Sequence, residues 1–257
     1  MTRENDALKT HIIVLFGGES AEHDVSCVTA AHVLRALNPN RYSITTVGIT
    51  RAGDWVLAES PTTALNKGHD AIPERLSAQG SPTSITPILQ SAQQHARTVV
   101  IPLLHGPMGE VGTVLGVLEI AHVAFVGSGV LGSAVSMDKG VAKQLLAANH
   151  IAQPKFVALR DTGNGIGDRH GAIDTAVREL GLPVFVKPAN MGSSIGVQKA
   201  KTRDEIVTAL ERAFAYDEWA LIEEAIKGRE IEVAVLGNES ARASVPGEII
   251  PSREFYD

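Results

Sequence analysis

Apolar residues along the chain come in short runs that glycine or proline closes, and the runs alternate with stretches of helical spacing. His11–Phe16 (HIIVLF) is apolar almost throughout, which predicts a strand covered on both faces of a parallel sheet. Gly17-Gly18-Glu19-Ser20 follows, then a helix with Val25, Val28, Ala31 and Leu34 at helical spacing. Strand, glycine turn and helix together open a Rossmann-like βα unit. Tyr42–Thr50 is the next predicted strand, and Gly53–Leu57 an edge hairpin. From Ala58 to Gln94 the composition turns to Pro, Ser, Thr, Gln and Ala without clear period, which predicts a surface excursion holding a strand or two. Val99–Leu104 (VVIPLL) is a second buried strand, running into a glycine-rich loop from His105 to Gly112. Thr113–Ala121 reads as helix, Val123–Val126 as strand and Ser128–Met137 as a helix of small residues. This order predicts an open parallel sheet whose ligand edge lies at the carboxyl ends of the strands, where Glu22 and His105 both fall.

The period changes again past Asp138. Lys139–His150 is a predicted helix, Lys155–Leu159 a strand, and Ile173–Leu180 a helix that Gly181 stops. Val184–Val197 (VFVKPANMGSSIGV) then joins a short apolar strand to a loop of small residues. A helix from Arg203 to Tyr216 follows, its apolar face made by Ile206, Val207, Leu210, Ala213 and Phe214. Thr202 and Glu205 have capping-box spacing at its start. Trp219–Glu223 is a strand, and Arg229–Leu236 a longer one in which Glu230 and Glu232 alternate with Ile231 and Val233. These elements predict a small α+β unit with antiparallel strands.

Composition narrows the class. The chain has 257 residues, 44% of them hydrophobic and 20% charged, which suits a globular protein with a sizeable core. A net charge of −6 argues against general affinity for nucleic acid or an anionic membrane surface. The sequence contains no apolar run of membrane-spanning length and no secretory h-region, so a cytoplasmic protein is expected. The single cysteine, Cys27, excludes an internal disulfide framework and lies in a predicted helix, where a buried, inert thiol is expected.

The candidate chemistry gathers in the glycine-rich loops. Gly192, Ser193, Ser194 and Gly196 can fold backbone N–H groups and two hydroxyls around an anion, with the charge of Lys187 close by. An ordinary turn of small residues fits the same letters. No G-x-x-x-x-G-K-[ST] occurs, so this is not a Walker A loop. Lys139 and Lys187 bracket the second unit. Glu223-Glu224-Ala225-Ile226 could present backbone groups to a purine edge, or be a plain acidic linker. Glu22 could hold a cationic amine, with Ser20 or Asp24 capping the helix beside it. His105 could meet an anion or pack beneath its loop. No His/Cys metal spacing and no G-x-S-x-G elbow occur.

Read together, Leu15–Ser26 (LFGGESAEHDVS), His105–Gly112 (HGPMGEVG), Phe125–Lys139 (FVGSGVLGSAVSMDK), VKPANMGSSIGV, Leu221–Gly237 (LIEEAIKGREIEVAVLG) and Phe255–Asp257 resemble the D-alanine–D-alanine ligases of the ATP-grasp superfamily. The match is collinear over nearly the whole chain. It implies a Rossmann-like N-terminal domain (residues 1–137), a central ATP-grasp lobe (138–223) and the start of a C-terminal lobe (224–257). It also implies ATP as cofactor, D-alanine as substrate, a homodimer, and a place in peptidoglycan synthesis and the upkeep of cell shape. By the same resemblance Glu22 holds the ammonium of the first D-alanine, aided by Ser193, and His105 lies near its carboxylate and the phosphoryl site. Lys139 and Lys187 contact ATP phosphates, with Ser193 and Ser194 closing over them. Glu223, Glu224 and Ile226 meet the adenine, and Glu230 the ribose hydroxyls.

The chain departs from the family at Val111, where an acidic or amide residue is usual, and at Leu115, where glutamine is usual. Both departures are expected near the substrate end of the first domain. The third lobe is expected to be incomplete, since the family continues with a Lys-Tyr loop, an arginine and an Asp/Glu/Asn set for two Mg2+ ions. On that expectation the chain is C-terminally truncated, and residues 1–257 alone would not turn over. The alternatives are an inactive nucleotide-binding remnant and another ATP-grasp carboxylate–amine ligase.

Overall fold

In the computed structural model, which describes residues 9–95, 97–163 and 169–250, β1 (Thr10–Gly17) runs between two parallel neighbours, β2 (Tyr42–Ile49) and β5 (Thr98–Pro102). That position explains its unbroken apolar run. Ile12, Val14 and Phe16 enter one core cluster, and Ile13 and Leu15 enter another on the opposite face. Phe255–Asp257 lie outside the described residues.

Helix α1 (His23–Ala36) covers the first of these faces, but not with the side expected. Ser26, Cys27, Ala30, Ala31 and Leu34 are buried, whereas Val25 and Val28 are 52% and 36% exposed. The reason is Ser26. Its hydroxyl accepts from the Gly17 N–H and donates to the Leu103 carbonyl, which turns that side of the helix toward the strand ends. Cys27 is buried, and burial raises its thiol pKa.

The sheet is mixed rather than purely parallel. Among the described residues its order is β4-β3-β2-β1-β5-β6, where β6 (Ala124–Phe125) is parallel to β5, while β3 (Trp55–Leu57) and β4 (Ser81–Pro82) run antiparallel to their neighbours. β3 is therefore flanked on both sides, and the edge falls to β4, where Pro82 has no N–H to leave unpaired. The excursion from Ala58 to Gln94 holds an expected strand, β4, but also two α-helices that the sequence did not announce, α2 (Glu59–Lys67) and α3 (Ile85–Gln94). Leu65, Ile72, Leu76 and Ala78 join the first core cluster, and Ile88 and Ala92 the second. Two of its four prolines, Pro61 and Pro87, sit in the first turns of these helices, where a missing N–H costs nothing. Beyond β5 come α4 (Pro107–Glu110), α5 (Thr113–Ile120) and α6 (Val130–Met137).

Backbone contacts divide the chain into compact units at Met1–Ala142 and Lys143–Asp257, a boundary within α7 (Lys139–Ala148). The second unit is built on an antiparallel sheet of order β7-β10-β8-β9, with β7 Phe156–Arg160, β8 Val184–Pro188, β9 Gln198–Ala200 and β10 Trp219–Glu224. α8 (His170–Leu180) and α9 (Arg203–Phe214) pack on one face over Val184, Val186, Ala220 and Ile222. Strand alternation then puts Phe185, Lys187, Leu221 and Glu223 on the other face. At the start of α9 the Thr202 hydroxyl accepts from the Glu205 N–H at 3.2 Å, while the Glu205 carboxylate reaches the Lys201 N–H instead of that of Thr202. The single strand expected over Arg229–Leu236 is broken into β11 (Glu230–Glu232) and β12 (Val235–Leu236). β11 pairs with β14 (Gly247–Ile249), and β12 pairs with β13 (Arg242–Ala243). Alternation alone could not reveal that break, since each half finds a different partner. No helix among the described residues is long and apolar enough to cross a membrane.

Candidate active site

Adjacent parallel strands deliver two loops to one place in the first unit. β1 ends at Gly17, whose φ is +90° and where a Cβ would stand 2.2 Å from the Ile49 carbonyl oxygen, so no side chain fits. The chain then reaches Ser20, whose hydroxyl accepts from the Glu22 N–H at 3.0 Å, and Glu22, which is buried. β5 leads into His105 and Gly106. A Cβ on Gly106 would stand 2.5 Å from the Ser20 hydroxyl and 3.6 Å from a Glu22 carboxylate oxygen, so the two loops are in close contact. Glu110 holds the second loop with both oxygens. One lies 3.5 Å from His105 Nδ1, and the other accepts from the Gly106 N–H at 2.9 Å. The hydrogen bond to Glu110 raises the His105 pKa against the effect of burial, with the charges of Glu110 and Glu22 adding to it. The same hydrogen bond lowers the pKa of Glu110. His105 Nε2 is buried without a partner among the described residues. The place thus pairs a carboxylate with an imidazole biased toward its cation, which suits a zwitterion.

Val111 and Leu115 part company here. Leu115 is 4% exposed and packs in the second core cluster, so that departure bears on packing and not on a substrate surface, contrary to expectation. Val111 is half-buried in the turn that leads into α5.

The second unit carries the remaining candidates. After β8, Asn190 is pinned to the Asp217 carboxylate through its backbone N–H (2.6 Å) and its amide (3.1 Å). Ser193 and Ser194 then take φ values of +46° and +56°, a conformation serine rarely adopts and which costs on the order of 1 kcal/mol per residue. Gly196 is required by the protein itself, since a Cβ there would meet Pro188 at 2.7 Å and Tyr216 at 3.0 Å. Lys187 reaches Glu223 at 3.2 Å, and Lys143 reaches the same carboxylate oxygen at 3.4 Å. Glu224 accepts from the Lys155 N–H with its side chain, and its own N–H donates to the Lys155 carbonyl. With the Ala225 N–H donated to the Pro183 carbonyl, the first backbone donors of this linker are used inside the protein, not held out to a ligand.

Beside that linker lies a cavity of about 610 Å³, whose walls include Phe185, Lys199, Ile226, Glu230 and Ile250. Its size is that of a small-molecule site. Two expected residues, Ile226 and Glu230, therefore share one cavity, while Glu223 and Lys187 pair on the sheet face that carries Phe185. Lys139 opens α7 and belongs to the first unit. Sequence reasoning missed Glu110, Lys143 and Lys199. Glu110 was visible as the acidic residue of HGPMGEVG. Lys143 and Lys199 carried no signal beyond being lysines on amphipathic elements. Among the described residues no group of three or more His, Cys, Asp or Glu side chains could hold a metal ion. The described residues therefore do not themselves offer a Mg2+ site.

A sheet-based domain with paired loops at its carboxyl edge, followed by an antiparallel lobe carrying a lysine, a small-residue loop and a cavity, defines the ATP-grasp class of fold. Residues 11–128 match the family model described as D-ala D-ala ligase N-terminus, and residues 145–257 that described as D-ala D-ala ligase C-terminus. The chain belongs to the D-alanine–D-alanine ligase family. A D-alanine–D-alanine ligase from Geobacillus thermodenitrificans is 41% identical over 260 residues, spanning 97% of this chain and 70% of the relative. Another, from Heliobacterium modesticaldum, is 43% identical over 254 residues, spanning 97% and 69%. Among solved structures, the D-alanine–D-alanine ligase from Coxiella burnetii is similar with a TM-score of 0.77 at 32% identity, over 94% of this chain and 71% of that one. The VanG D-Ala:D-Ser ligase from Enterococcus faecalis gives a TM-score of 0.78 at 32% identity, over 97% and 72%.

Proposed function

We propose that this chain serves the ATP-dependent joining of two D-alanines for peptidoglycan precursors. The first carboxylate attacks the γ-phosphorus of ATP to form an acyl phosphate and ADP. The second amine then attacks that carbonyl and displaces phosphate. Glu22 faces the ammonium of the first D-alanine, and the His105 imidazolium, held by Glu110, faces its carboxylate. Lys139, Lys187 and the Ser193–Ser194 turn neutralise the phosphates, since phosphoryl transfer depends on positioning and charge compensation. Ile226 contacts the adenine and Glu230 the ribose; Glu223 and Glu224 frame the adenine end. Mg2+ would supply further charge compensation for the phosphates, and none of the residues named here is assigned to hold it. The domain division at 137 and 223, a homodimer, a cytoplasmic location and a role in cell shape belong to the same reading. The remnant and the other ATP-grasp ligases are not favoured, because both family models match and the similar relatives are D-alanine ligases.

The observation that carries the nucleotide half is the meeting of Ile226 and Glu230 in one cavity walled by Phe185. Titration with ATP tests it. Saturable binding is expected, weakened in Lys187→Ala by about 1.5–3 kcal/mol, the worth of a charge-assisted hydrogen bond. Absence of ATP binding, or unchanged affinity in Lys187→Ala, refutes it.

A further inference from the structure

Three charged side chains meet on the face of the second sheet away from its helices. Glu223 projects from β10 with its side chain 11% exposed, and one of its oxygens serves both Lys187 (3.2 Å) and Lys143 (3.4 Å). The lysines approach from opposite sides. Lys187 comes from β8 and lies 6.0 Å from the ring of Phe185, which lines the cavity. Lys143 comes from α7, on the side of β7: its Nζ stands 5.2 Å from the ring of Phe156 and donates to the Pro154 carbonyl at 3.3 Å. The Lys143 side chain is 11% exposed and Lys187 23%. Two cations therefore share one carboxylate in a poorly hydrated place, and the cluster carries an excess positive charge.

The lysines differ in what else holds them. Lys143 is fixed by the Pro154 carbonyl and the Phe156 ring, and its backbone carbonyl accepts from the Gln153 amide at 2.7 Å. Lys187 stands at the end of its strand, where the Ser193–Ser194 loop departs. An anion bound there competes with Glu223 for Lys187. If Lys187 were the sole partner, its departure would strand a buried carboxylate, which is strongly unfavourable. With Lys143 in place the carboxylate stays neutralised.

We propose that Lys143 is a positioning residue of the nucleotide site, which retains Glu223 so that Lys187 can turn from that carboxylate to a phosphate. The inference rests on the nucleotide reading above and adds a residue that itself touches no ligand. It makes a demand that a merely structural lysine does not: the effect of Lys143 must pass through Lys187 and hence through the phosphates.

The test measures the affinities of ATP and adenosine for the wild type, Lys143→Met and Lys143→Gln, the last retaining hydrogen-bonding capacity should the methionine variant not fold. ATP is expected to bind about tenfold more weakly or worse in either variant, with adenosine within about twofold of wild type. In a Glu223→Gln background, where no carboxylate competes for Lys187, adding Lys143→Gln is expected to change ATP affinity less than about twofold. Equal losses for ATP and adenosine, or the same loss with and without Glu223→Gln, overturn the proposal. If the wild type binds ATP and Lys187→Ala weakens it while Lys143→Gln does not, the inference falls and the nucleotide reading stands. If the wild type binds no ATP, both fall.

Discussion

Replacing Ser26 by alanine removes a single hydroxyl, yet that hydroxyl joins the ends of β1 and β5. It is fully buried, accepts from the Gly17 N–H at 2.7 Å and donates to the Leu103 carbonyl. In Ser26→Ala both backbone groups lose this partner where water does not reach. A buried polar group left unpaired costs about 1–3 kcal/mol, and the carbonyl, with a second lone pair, falls at the low end, so the sum is about 2–4 kcal/mol. For a chain of this length that lowers the thermal midpoint by roughly 5–12 °C. Urea unfolding followed by tryptophan fluorescence measures it. The chain has 2 tryptophans, and Trp219→Phe leaves Trp55, in β3, as reporter of the first unit. Thr29→Ala on the same helix is the control, because its hydroxyl bonds the Val25 carbonyl in an exposed position and its loss should cost under about 0.5 kcal/mol. A Ser26→Ala loss no larger than the control refutes the claim that this serine ties the strand ends. With the ends tied less firmly, the loops bearing Glu22 and His105 should also loosen, so D-alanine binding should weaken alongside stability.

Glu22→Gln should weaken D-alanine binding by about 1.5–3 kcal/mol, the loss of a charged partner for an ammonium, while ATP affinity holds; an equal loss for both ligands, read by calorimetry, makes Glu22 structural. Gly17→Ala should destabilise by more than about 3 kcal/mol, because its added Cβ would clash with the Ile49 carbonyl, whereas Gly181→Ala, with open space around it and strained only by its φ of +72° and ψ of −167°, should cost about 1–3 kcal/mol; equal costs in urea titrations would remove the steric argument. Burial, with the charge of His95, lowers His11 to about 4. The unfolded chain therefore binds a proton near pH 6.5 that the folded protein refuses, so this stabilisation is complete above about 6.5 and declines by up to about 3 kcal/mol as pH falls toward 4. His11→Leu should flatten that part of the stability–pH curve, and an unchanged slope would show that the imidazole is not the source.

By itself the sequence determined the elements with strong local causes and the family. HIIVLF, short and closed by Gly17-Gly18, read as a strand buried on both faces, because no polar side alternates in it. The α9 helix was legible through its apolar period and the Thr202 cap, and collinear words such as HGPMGEVG and VKPANMGSSIGV were specific enough to name the family. Tertiary structure decided what depended on distant partners. Which side of α1 faces inward was settled by a serine bridging two strands, against the preference of Val25 and Val28 for burial. Arg229–Leu236 has one alternating pattern yet splits, since β14 and β13 each claim half of it. Much of the polar excursion from Ala58 to Gln94 is helical, because Pro61 and Pro87 fall in first turns and its few apolar residues find the core. The candidate site divides the same way. Glu22, His105, Lys187 and Glu230 stand out by residue type and by the loops around them. Glu110 and Lys143 act through a neighbour's charge, and charge pairing across strands and loops is a matter of distance in space, which spacing along the chain does not encode.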